Sequence, residues 1–176
     1  MISADGWLPC KHFAGVVVEL AHDLVGRTIL VRGAHEQLAT IVETEAYAGV
    51  HDPASHAAFR PGGRAALMRG RAGLLYVYAA YGMYPCLNVV CGAEGEAAAV
   101  LVRGVWLVGE PKPVLGPGRV TRALGVSLAD HGRSVCDERF AISTVRVAFA
   151  IEQLPRVGIT RGVELPWRFV VRERQP

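Results

Sequence analysis

Short hydrophobic segments that end at glycine, proline or polar residues follow one another along most of the chain. Two of them, at 27–33 and 37–47, are joined by a short polar link and predict a β-hairpin. The stretch 74–91 predicts two apolar β segments around Gly82. Further strands are predicted at 97–108 and, in the tail, at 145–151, 155–159 and 167–173.

Helical patterns are fewer and shorter than the strand patterns. A helix is predicted at 13–25, ending at Gly26, and a short one at 116–126, where Gly-Pro-Gly marks the N-terminus. Residues 48–73 are irregular, with one helical turn expected near "RAALM". Because strands outnumber helices and the connections are short, we expect a single α+β domain over 1–176 with a mostly antiparallel sheet.

The composition is that of a globular protein. Hydrophobic residues make up 51% and charged ones 20%, and no apolar run has the length of a membrane span. The N-terminal segment lacks the layout of a signal peptide, so we expect a cytosolic, cytoplasmic protein. The net charge of +3 comes almost entirely from arginine, since Lys11 and Lys112 are the only lysines. Arginine suits phosphates and buried carboxylates, although the codon bias of a GC-rich genome explains the excess equally well.

The cysteines are scattered and form no CxxC pair. This spacing argues against a zinc site, and disulfides are not expected in a cytosolic chain. The four positions are Cys10, Cys86, Cys91 and Cys136.

The stretch "IVETEAYAGVHDPASH" collects polar and aromatic residues at the end of a predicted strand. In a regular strand the period of two places Glu43, Glu45 and Tyr47 on one face. A carboxylate in a half-buried strand must be paired, hydrogen-bonded or perturbed in its pKa. The residues alone therefore leave three interpretations open, which are an ion pair with arginine, a general base and a metal ligand.

The metal interpretation would use Glu45, His51 and His56 as a two-histidine, one-carboxylate site. The two histidines lie in a predicted loop and lack the i, i+4 spacing of a helical metal motif. We therefore expect no metal and keep a metallohydrolase only as an alternative.

Tyrosines cluster in "LLYVYAAY", and most of them fit an ordinary β core. Tyr76 is interpreted in this way. Tyr81 differs because it precedes Gly82 at a predicted hairpin tip, where a large aromatic side chain has little to pack against. An exposed aromatic side chain at a tip is a candidate wedge for a stack of bases.

Arginines crowd the segment between the carboxylates and the tyrosine hairpin. They suit either a solvated loop or contact with phosphates. A carboxylate, stacking aromatic side chains, a protruding tyrosine and arginines together suit an enzyme that takes a base out of a duplex and acts on its glycosidic bond. The arginines in question are Arg60, Arg64, Arg69 and Arg71.

Several long motifs, in order, resemble the alkyladenine (3-methyladenine) DNA glycosylase family. They are "TIVETEAYAGVHDPASH", "LLYVYAAYGMYPCLNVV", "AAVLVRGV" and "GPGRVTRALGV", preceded by the N-terminal "LAHDLVGRTILVR". The match covers roughly residues 20–126, with weaker similarity at "RVGI" and "WRFVV". The resemblance implies a compact domain around a curved, mostly antiparallel sheet with flanking helices and a protruding β-hairpin. It also implies action without metal or cofactor.

The resemblance assigns roles residue by residue. Glu45 matches the carboxylate that activates the attacking water, Arg103 the arginine that helps hold them, and Val157 the residue whose main-chain carbonyl touches that water. Asn88 matches the asparagine that helps reject wrong purines, and Tyr81 the side chain that fills the gap left by the flipped base. The residues expected to stack around the base are Tyr47, His56 and Tyr78.

The expected reaction is hydrolysis of the bond between a damaged purine and its sugar in double-stranded DNA. Neither lysine lies in a matched motif, so we expect a monofunctional enzyme that leaves an abasic site. We also expect a monomer that associates with the bacterial nucleoid through its DNA substrate.

The chain departs from the family pattern at "RPGGRAALM". There Arg64 keeps an arginine, but Ala65 or Ala66 stands in place of an asparagine. The segment after "ALGV" is also shorter than in the family pattern. These departures bear on the affinity for DNA and on the preference among bases. They motivate a second hypothesis, in which the chain is a non-catalytic binder of damaged DNA.

Overall fold

One antiparallel sheet of nine strands organises the computed structural model, which describes residues 6–172. Its strands run in the order β3-β4-β5-β2-β1-β7, while β6 pairs with β5, and β9 pairs with β2 and β8. The strands are β1 (Arg27–Val31), β2 (Gln37–Ala48), β3 (Leu75–Ala80), β4 (Tyr84–Cys91), β5 (Ala98–Leu107), β6 (Val114–Leu115), β7 (Phe140–Arg146), β8 (Ile151–Leu154) and β9 (Arg168–Val171). The helices are α1 (Val17–Leu24), α2 (His56–Phe59) and α3 (Pro117–Leu124).

These elements confirm the α+β class and both predicted hairpins. β1 pairs with β2, and β3 pairs with β4 across the tip at Tyr81 and Gly82. The irregular stretch between β2 and β3 contains α2 and a 3₁₀ turn at Gly63–Arg69, which includes the predicted helical turn. Within residues 6–172, no helix combines the length and apolar character needed to cross a membrane.

Helix α1 is shorter than the predicted 13–25. Its buried face is Val17, Leu20, Ala21 and Leu24, which is the spacing of one side of a helix. The preceding residues form a separate 3₁₀ turn at Cys10–Ala14, and Gly15 and Val16 have extended backbone. The apolar run is continuous in sequence, but the extended residues interrupt the helix.

Strand β2 is the central element because it carries the polar cluster. Its first half pairs with β1 and its second half with β9, while β5 lies along the other edge. The register of β2 on β5 shifts near Glu43, opposite Gly104. A Cβ at Gly104 would lie 2.8 Å from the Cβ of Glu43, so only glycine permits this approach. Despite this irregularity, Glu43 and Glu45 both contact Arg103, and Tyr47 donates to Glu45, so the three side chains lie together as the sequence predicts.

The tail was only partly predicted. The expected strand at 145–151 is displaced, since β7 ends at Arg146 and β8 begins at Ile151. The expected strand at 155–159 is wrong. That segment is an irregular loop in which Gly158 has a φ of +72°. The strand predicted at 167–173 is confirmed as β9, although residue 173 lies outside the described part of the chain.

The expectation of no disulfide is also corrected. Cys10 and Cys136 are bonded, with Cα atoms 5.9 Å apart across a sequence separation of 126 residues. The bond joins the N-terminal 3₁₀ turn to the segment that runs beside the start of β3, where Leu74 forms a bridge with Ser134. Cys86 and Cys91 are free and buried.

Candidate active site

A cleft of about 900 Å³ opens between the β3–β4 hairpin, the α2 region and the loop that follows β8. This volume lies in the range of small-molecule sites. Most of the residues predicted to form the site line it, and they come from five separate parts of the chain. These lining residues are Tyr47, His56, Tyr78, Tyr81, Asn88, Arg103 and Val157.

Glu45 lies directly behind this wall and is completely buried. Its Oε1 accepts the Val157 backbone N–H at 2.7 Å, and its Oε2 accepts the Tyr47 hydroxyl at 2.8 Å. The Arg103 Nε lies 3.3 Å from Oε1. A carboxylate offers about four acceptor positions, so these two hydrogen bonds and the Arg103 contact leave room for a further hydrogen bond, such as one from a water molecule.

Glu43 confirms the ion-pair interpretation for one of the two carboxylates. Its Oε1 accepts hydrogen bonds from Arg103 Nε and from Arg168 Nη1, both at 3.1 Å. Arg103 therefore lies between the two carboxylates, and Arg168 on β9 fixes Glu43 from the other side. This arrangement keeps Arg103 at the cleft wall, against Glu45.

Burial raises the pKa of Glu45 above its ordinary value. The charge of Arg103, the Val157 N–H and the Tyr47 hydroxyl all oppose this rise, whereas the charge of Glu43 adds to it. A carboxylate with a raised pKa and donors that favour its ionised form is typical of a general base near neutral pH.

An aromatic cluster forms another part of the wall. The rings of Tyr76 and Tyr78 stack at 5.2 Å, and His56 meets Tyr78 edge-on at 4.5 Å between centroids. The His56 Nδ1 and the Tyr76 hydroxyl are hydrogen-bonded at 2.8 Å. Burial, reinforced by Arg60, lowers the pKa of His56, so its imidazole is neutral at pH 7. Tyr76 thus belongs to the site wall as well as to the core that the sequence predicted.

Asn88 is buried on β4 and faces the cleft. Its Nδ2 donates to the backbone carbonyls of Tyr76 at 3.0 Å and Cys86 at 3.4 Å. These bonds fix the amide plane, so the group that Asn88 can offer to the cleft is its side-chain oxygen, an acceptor.

Tyr81 is 90% exposed at the hairpin tip and has a φ of +52°, a conformation that non-glycine residues rarely adopt. It therefore projects from the cleft rim, as the sequence predicts. Of the four arginines singled out in the sequence, Arg60 lines the cleft, and Arg64, Arg69 and Arg71 lie in or beside the neighbouring 3₁₀ turn.

The alternative metal set does not come together. Among residues 6–172, no group of three or more His, Cys, Asp or Glu side chains is close enough to hold a metal ion. His51 is exposed, whereas Glu45 is buried and hydrogen-bonded to protein donors. The structure thus gives Glu45, His51 and His56 no common site.

Sequence reasoning missed three residues in or beside the cleft. Arg156 and Asp52 form an ion pair in which both side chains are fully buried. Arg156 directly precedes Val157, and Asp52 lies in the "DPASH" motif, so their positions within matched motifs were a signal. Arg161, exposed on the same loop as Val157, also lines the cleft.

Comparison with known proteins decides the family. A family model described as "Methylpurine-DNA glycosylase (MPG)" matches residues 11–175. The chain belongs to the methylpurine-DNA glycosylase family.

Relatives within this family are similar along nearly the whole chain. A protein of Rhodopseudomonas palustris (strain BisB5) is 39% identical over 175 residues, covering 92% of this chain and 85% of its own. A protein of Rickettsia rickettsii (strain Sheila Smith) is 37% identical over 171 residues, covering 94% and 90%. Both are named "Putative 3-methyladenine DNA glycosylase". The resemblance found in the sequence is thereby confirmed.

Membership of the methylpurine-DNA glycosylase family makes the chain an N-glycosylase enzyme. A non-catalytic binder on the same fold is therefore not retained. The cleft agrees with this class of enzyme, because its aromatic wall and its buried carboxylate come from the motifs that carry the family resemblance.

Proposed function

We propose that the chain flips alkylated or deaminated purines out of duplex DNA and hydrolyses their N-glycosidic bond with a water activated by Glu45. The product is an abasic site, and the enzyme acts as a monomer at the nucleoid. The observation that carries the proposal is the buried Glu45 carboxylate behind an aromatic cleft. It accepts hydrogen bonds from Tyr47 and Val157, contacts Arg103 and keeps acceptor capacity for a water molecule.

The chemical step needs no group beyond these side chains and water. The water oxygen bonds to C1′ of the sugar and loses a proton to Glu45, while the electron pair of the C1′–N bond leaves with the base. A cationic alkylated base departs neutral, and a neutral deaminated base takes up a proton from solvent as it departs. The sugar becomes positively charged in the transition state, and the Glu45 carboxylate stabilises that charge. Arg103 and the Val157 carbonyl would hold the water, in agreement with their places on the cleft wall.

The aromatic wall suits the leaving base. Alkylation of a ring nitrogen makes a purine cationic, and an electron-rich ring attracts a cation by about 0.5–2 kcal/mol. Tyr47, Tyr78 and the neutral imidazole of His56 present such surfaces without a competing positive charge on His56. Damaged bases also cost less to unstack, which adds to selectivity. The buried Asn88 amide would reject purines whose exocyclic groups do not fit beside it.

In this proposal, residues at the rim of the cleft contact the rest of the duplex. We assign Tyr81 to the gap left by the flipped base, and Arg60, Arg64, Arg69 and Arg71 to phosphates. Lys11 and Lys112 are exposed and lie outside the cleft wall, so the site offers no lysine amine for strand cleavage through a Schiff base. This supports a monofunctional reaction.

A base-release assay tests the proposal directly. Purified protein is incubated at a stated salt concentration with duplexes that carry 3-methyladenine, 7-methylguanine, hypoxanthine or ethenoadenine. We expect a free base and an intact strand with an abasic site, with the same yield in EDTA. Release from none of the four duplexes would contradict the proposal. Strand cleavage accompanied by a protein–DNA adduct in the presence of borohydride, which reduces a Schiff base to a stable bond, would contradict the monofunctional reaction.

Tyr81→Ala is expected to weaken damage-specific binding and slow base release at limiting enzyme. Loss of the wedge removes stacking worth about 1–3 kcal/mol, or roughly 5-fold to 150-fold in apparent affinity. Tyr81→Phe keeps the ring and serves as the matched control, so it should stay near wild type in binding titrations. Equal behaviour of the Ala and Phe variants would remove the wedge role.

Tyr47→Phe is expected to move the acidic limb of the pH–rate profile to higher pH. The Tyr47 hydroxyl donates to Glu45 and lowers the pKa of that carboxyl. Without the hydroxyl the pKa of Glu45 rises further, so the catalytic carboxylate becomes protonated at a less acidic pH. Single-turnover rates across the pH range measure the limb. Tyr78→Phe changes the same atom on another cleft ring and should leave the limb in place.

A further inference from the structure

The Arg156 side chain is fully buried, although its chain neighbours Pro155 and Val157, in the loop after β8, are exposed. Its Nη1 and Nη2 donate to the two carboxylate oxygens of Asp52 at 2.5 and 2.9 Å. Nη1 also donates to the backbone carbonyl of Ala46 at 2.9 Å. Ala46 follows Glu45 on β2, and Val157 follows Arg156, so this one side chain joins the two backbones that meet at the carboxylate.

Asp52 ties the same guanidinium to the loop after β2. Besides Arg156, its oxygens accept the backbone N–H groups of Ala48 at 3.1 Å and Ala54 at 3.0 Å. The carboxylate thus joins the end of β2, the "DPASH" loop and the loop after β8. A single buried pair spans three segments that are separate in sequence.

The packing around Arg156 leaves it little freedom. Its guanidinium lies over the ring of Tyr47 at 4.8 Å and over that of Trp167 at 5.2 Å. A Cβ at Gly162 would lie 3.1 Å from Arg156 Nη2 and 3.3 Å from Pro53 Cγ, so glycine lets the loop close over the pair. Arg156 therefore also supports the Tyr47 ring from within the protein.

We propose that Arg156, paired with Asp52, is a positioning residue that holds the Val157 N–H against Glu45 and sets the shape of the catalytic carboxylate site. The inference rests on the proposed function, in which Glu45 activates the water. A buried ion pair is a poor source of net stability, since well-packed apolar residues often do as well. The pair lies at the junction of the Glu45 and Val157 backbones, so we assign it the role of fixing the position of these two segments relative to each other.

The groups around Glu45 set its pKa, and the Arg156–Asp52 pair would affect this pKa through one of them. Glu43 and Tyr47 lie beside it on β2, Arg103 reaches it from β5, and Arg168 on β9 binds Glu43. Tyr78 from β3 and Cys86 from β4 also lie near enough for the Glu45 charge to affect their pKa values. The loop after β8 contributes the Val157 N–H. When that donor moves away, less remains to counteract the effect of burial on the Glu45 pKa, and this pKa rises further.

The test compares Arg156→Lys with Arg27→Lys. Lysine keeps a positive charge for Asp52 but cannot make the paired contact or cover two rings. Arg27 is the matched control because it is also buried, binds both oxygens of Asp23, and donates to the Ser143 and Thr144 carbonyls. It does not line the cleft described above.

Three measurements are made on each variant: the single-turnover rate of base release at saturating duplex, the pKa of the ¹³C-labelled Glu45 carboxyl, and hydrogen exchange of the Val157 amide. For Arg156→Lys we expect a rate loss of about 10-fold to 100-fold with damaged-duplex affinity within about 3-fold, because small displacements of reacting groups are costly. We also expect a higher Glu45 pKa and at least about 10-fold faster exchange at Val157.

Arg27→Lys should lower the melting temperature without these three changes. If Arg156→Lys keeps the wild-type Glu45 pKa and Val157 exchange, the positioning role is overturned, whatever the rate. If wild-type protein releases no base while the pKa and exchange shift as expected, the positioning role stands and the proposed function fails. The two failures are therefore distinguishable.

Discussion

Replacing Glu45 with Gln is expected to abolish base release and to leave the protein at least as stable as wild type at neutral pH. Gln is nearly the same size, and its oxygen can accept the Val157 N–H, while the Tyr47 hydroxyl can accept from its amide. It cannot take a proton from water. Single-turnover assays should show a loss of about 10³-fold or more, because general acid–base catalysis alone contributes about 10²–10⁴-fold and the lost charge stabilisation adds to it.

The stability part of this prediction follows from the raised pKa of Glu45. A carboxyl whose pKa is higher in the folded than in the unfolded state binds more protons when folded, so ionisation opposes folding as the pH rises above the unfolded value. Gln removes that cost. The stability gain should therefore be present at neutral pH and should shrink as the pH falls through the pKa of the folded state.

Glu43→Gln provides the matched control on the same strand face. Its partner contacts are with Arg103 and Arg168, and it is assigned no proton transfer, so measurable base release should remain. Both variants should bind a damaged duplex in fluorescence titrations. Turnover by Glu45→Gln, or loss of release in Glu43→Gln alone, would take the catalytic role away from Glu45.

Asp52→Asn is expected to cause the largest loss of stability among single polar substitutions in the site. It leaves the Arg156 guanidinium fully buried without its counter-charge, and breaking such a pair from one side costs about 3–5 kcal/mol. Urea denaturation followed by circular dichroism measures the change in free energy of unfolding.

The control for this prediction is Glu36→Gln in the exposed pair with Arg32, where about half of each side chain is accessible. Exposed pairs of this kind contribute 0–1 kcal/mol, so the change should be small. A loss of less than about 1 kcal/mol for Asp52→Asn would show that Arg156 finds another partner or water, and would weaken the case for a rigid buried pair.

Local sequence patterns are sufficient to predict the elements that pair with the next element along the chain. The hairpins 27–47 and 74–91 were predictable because both strands and the turn lie within one short stretch. The face shared by Glu43, Glu45 and Tyr47 followed from the period of a strand. The further grouping of Arg103, Asn88 and Val157 with them came from motif resemblance, not from periodicity.

The features that were missed depend on contacts between distant segments. The Asp52–Arg156 pair joins residues 104 positions apart, and the bond between Cys10 and Cys136 joins residues 126 positions apart. The local spacing of residues indicates neither pairing, although Asp52 and Arg156 each lie in a motif that carries the family resemblance. The segment 155–159 has apolar residues typical of a strand, but the Arg156 contacts and the positive φ of Gly158 fix it as a loop.

The hydrogen bond from Val157 to Glu45 spans 112 residues, so its donor is synthesised long after the strand that carries the carboxylate. A nascent chain that has completed β5 already contains Glu45, Arg103 and the cleft tyrosines, but not the strand and loop that close over the carboxylate. It would lack the Val157 N–H that binds Glu45 and the Arg168 guanidinium that binds Glu43. The carboxylate site is therefore complete only after the segment that contains Val157 has been synthesised and has folded onto β2.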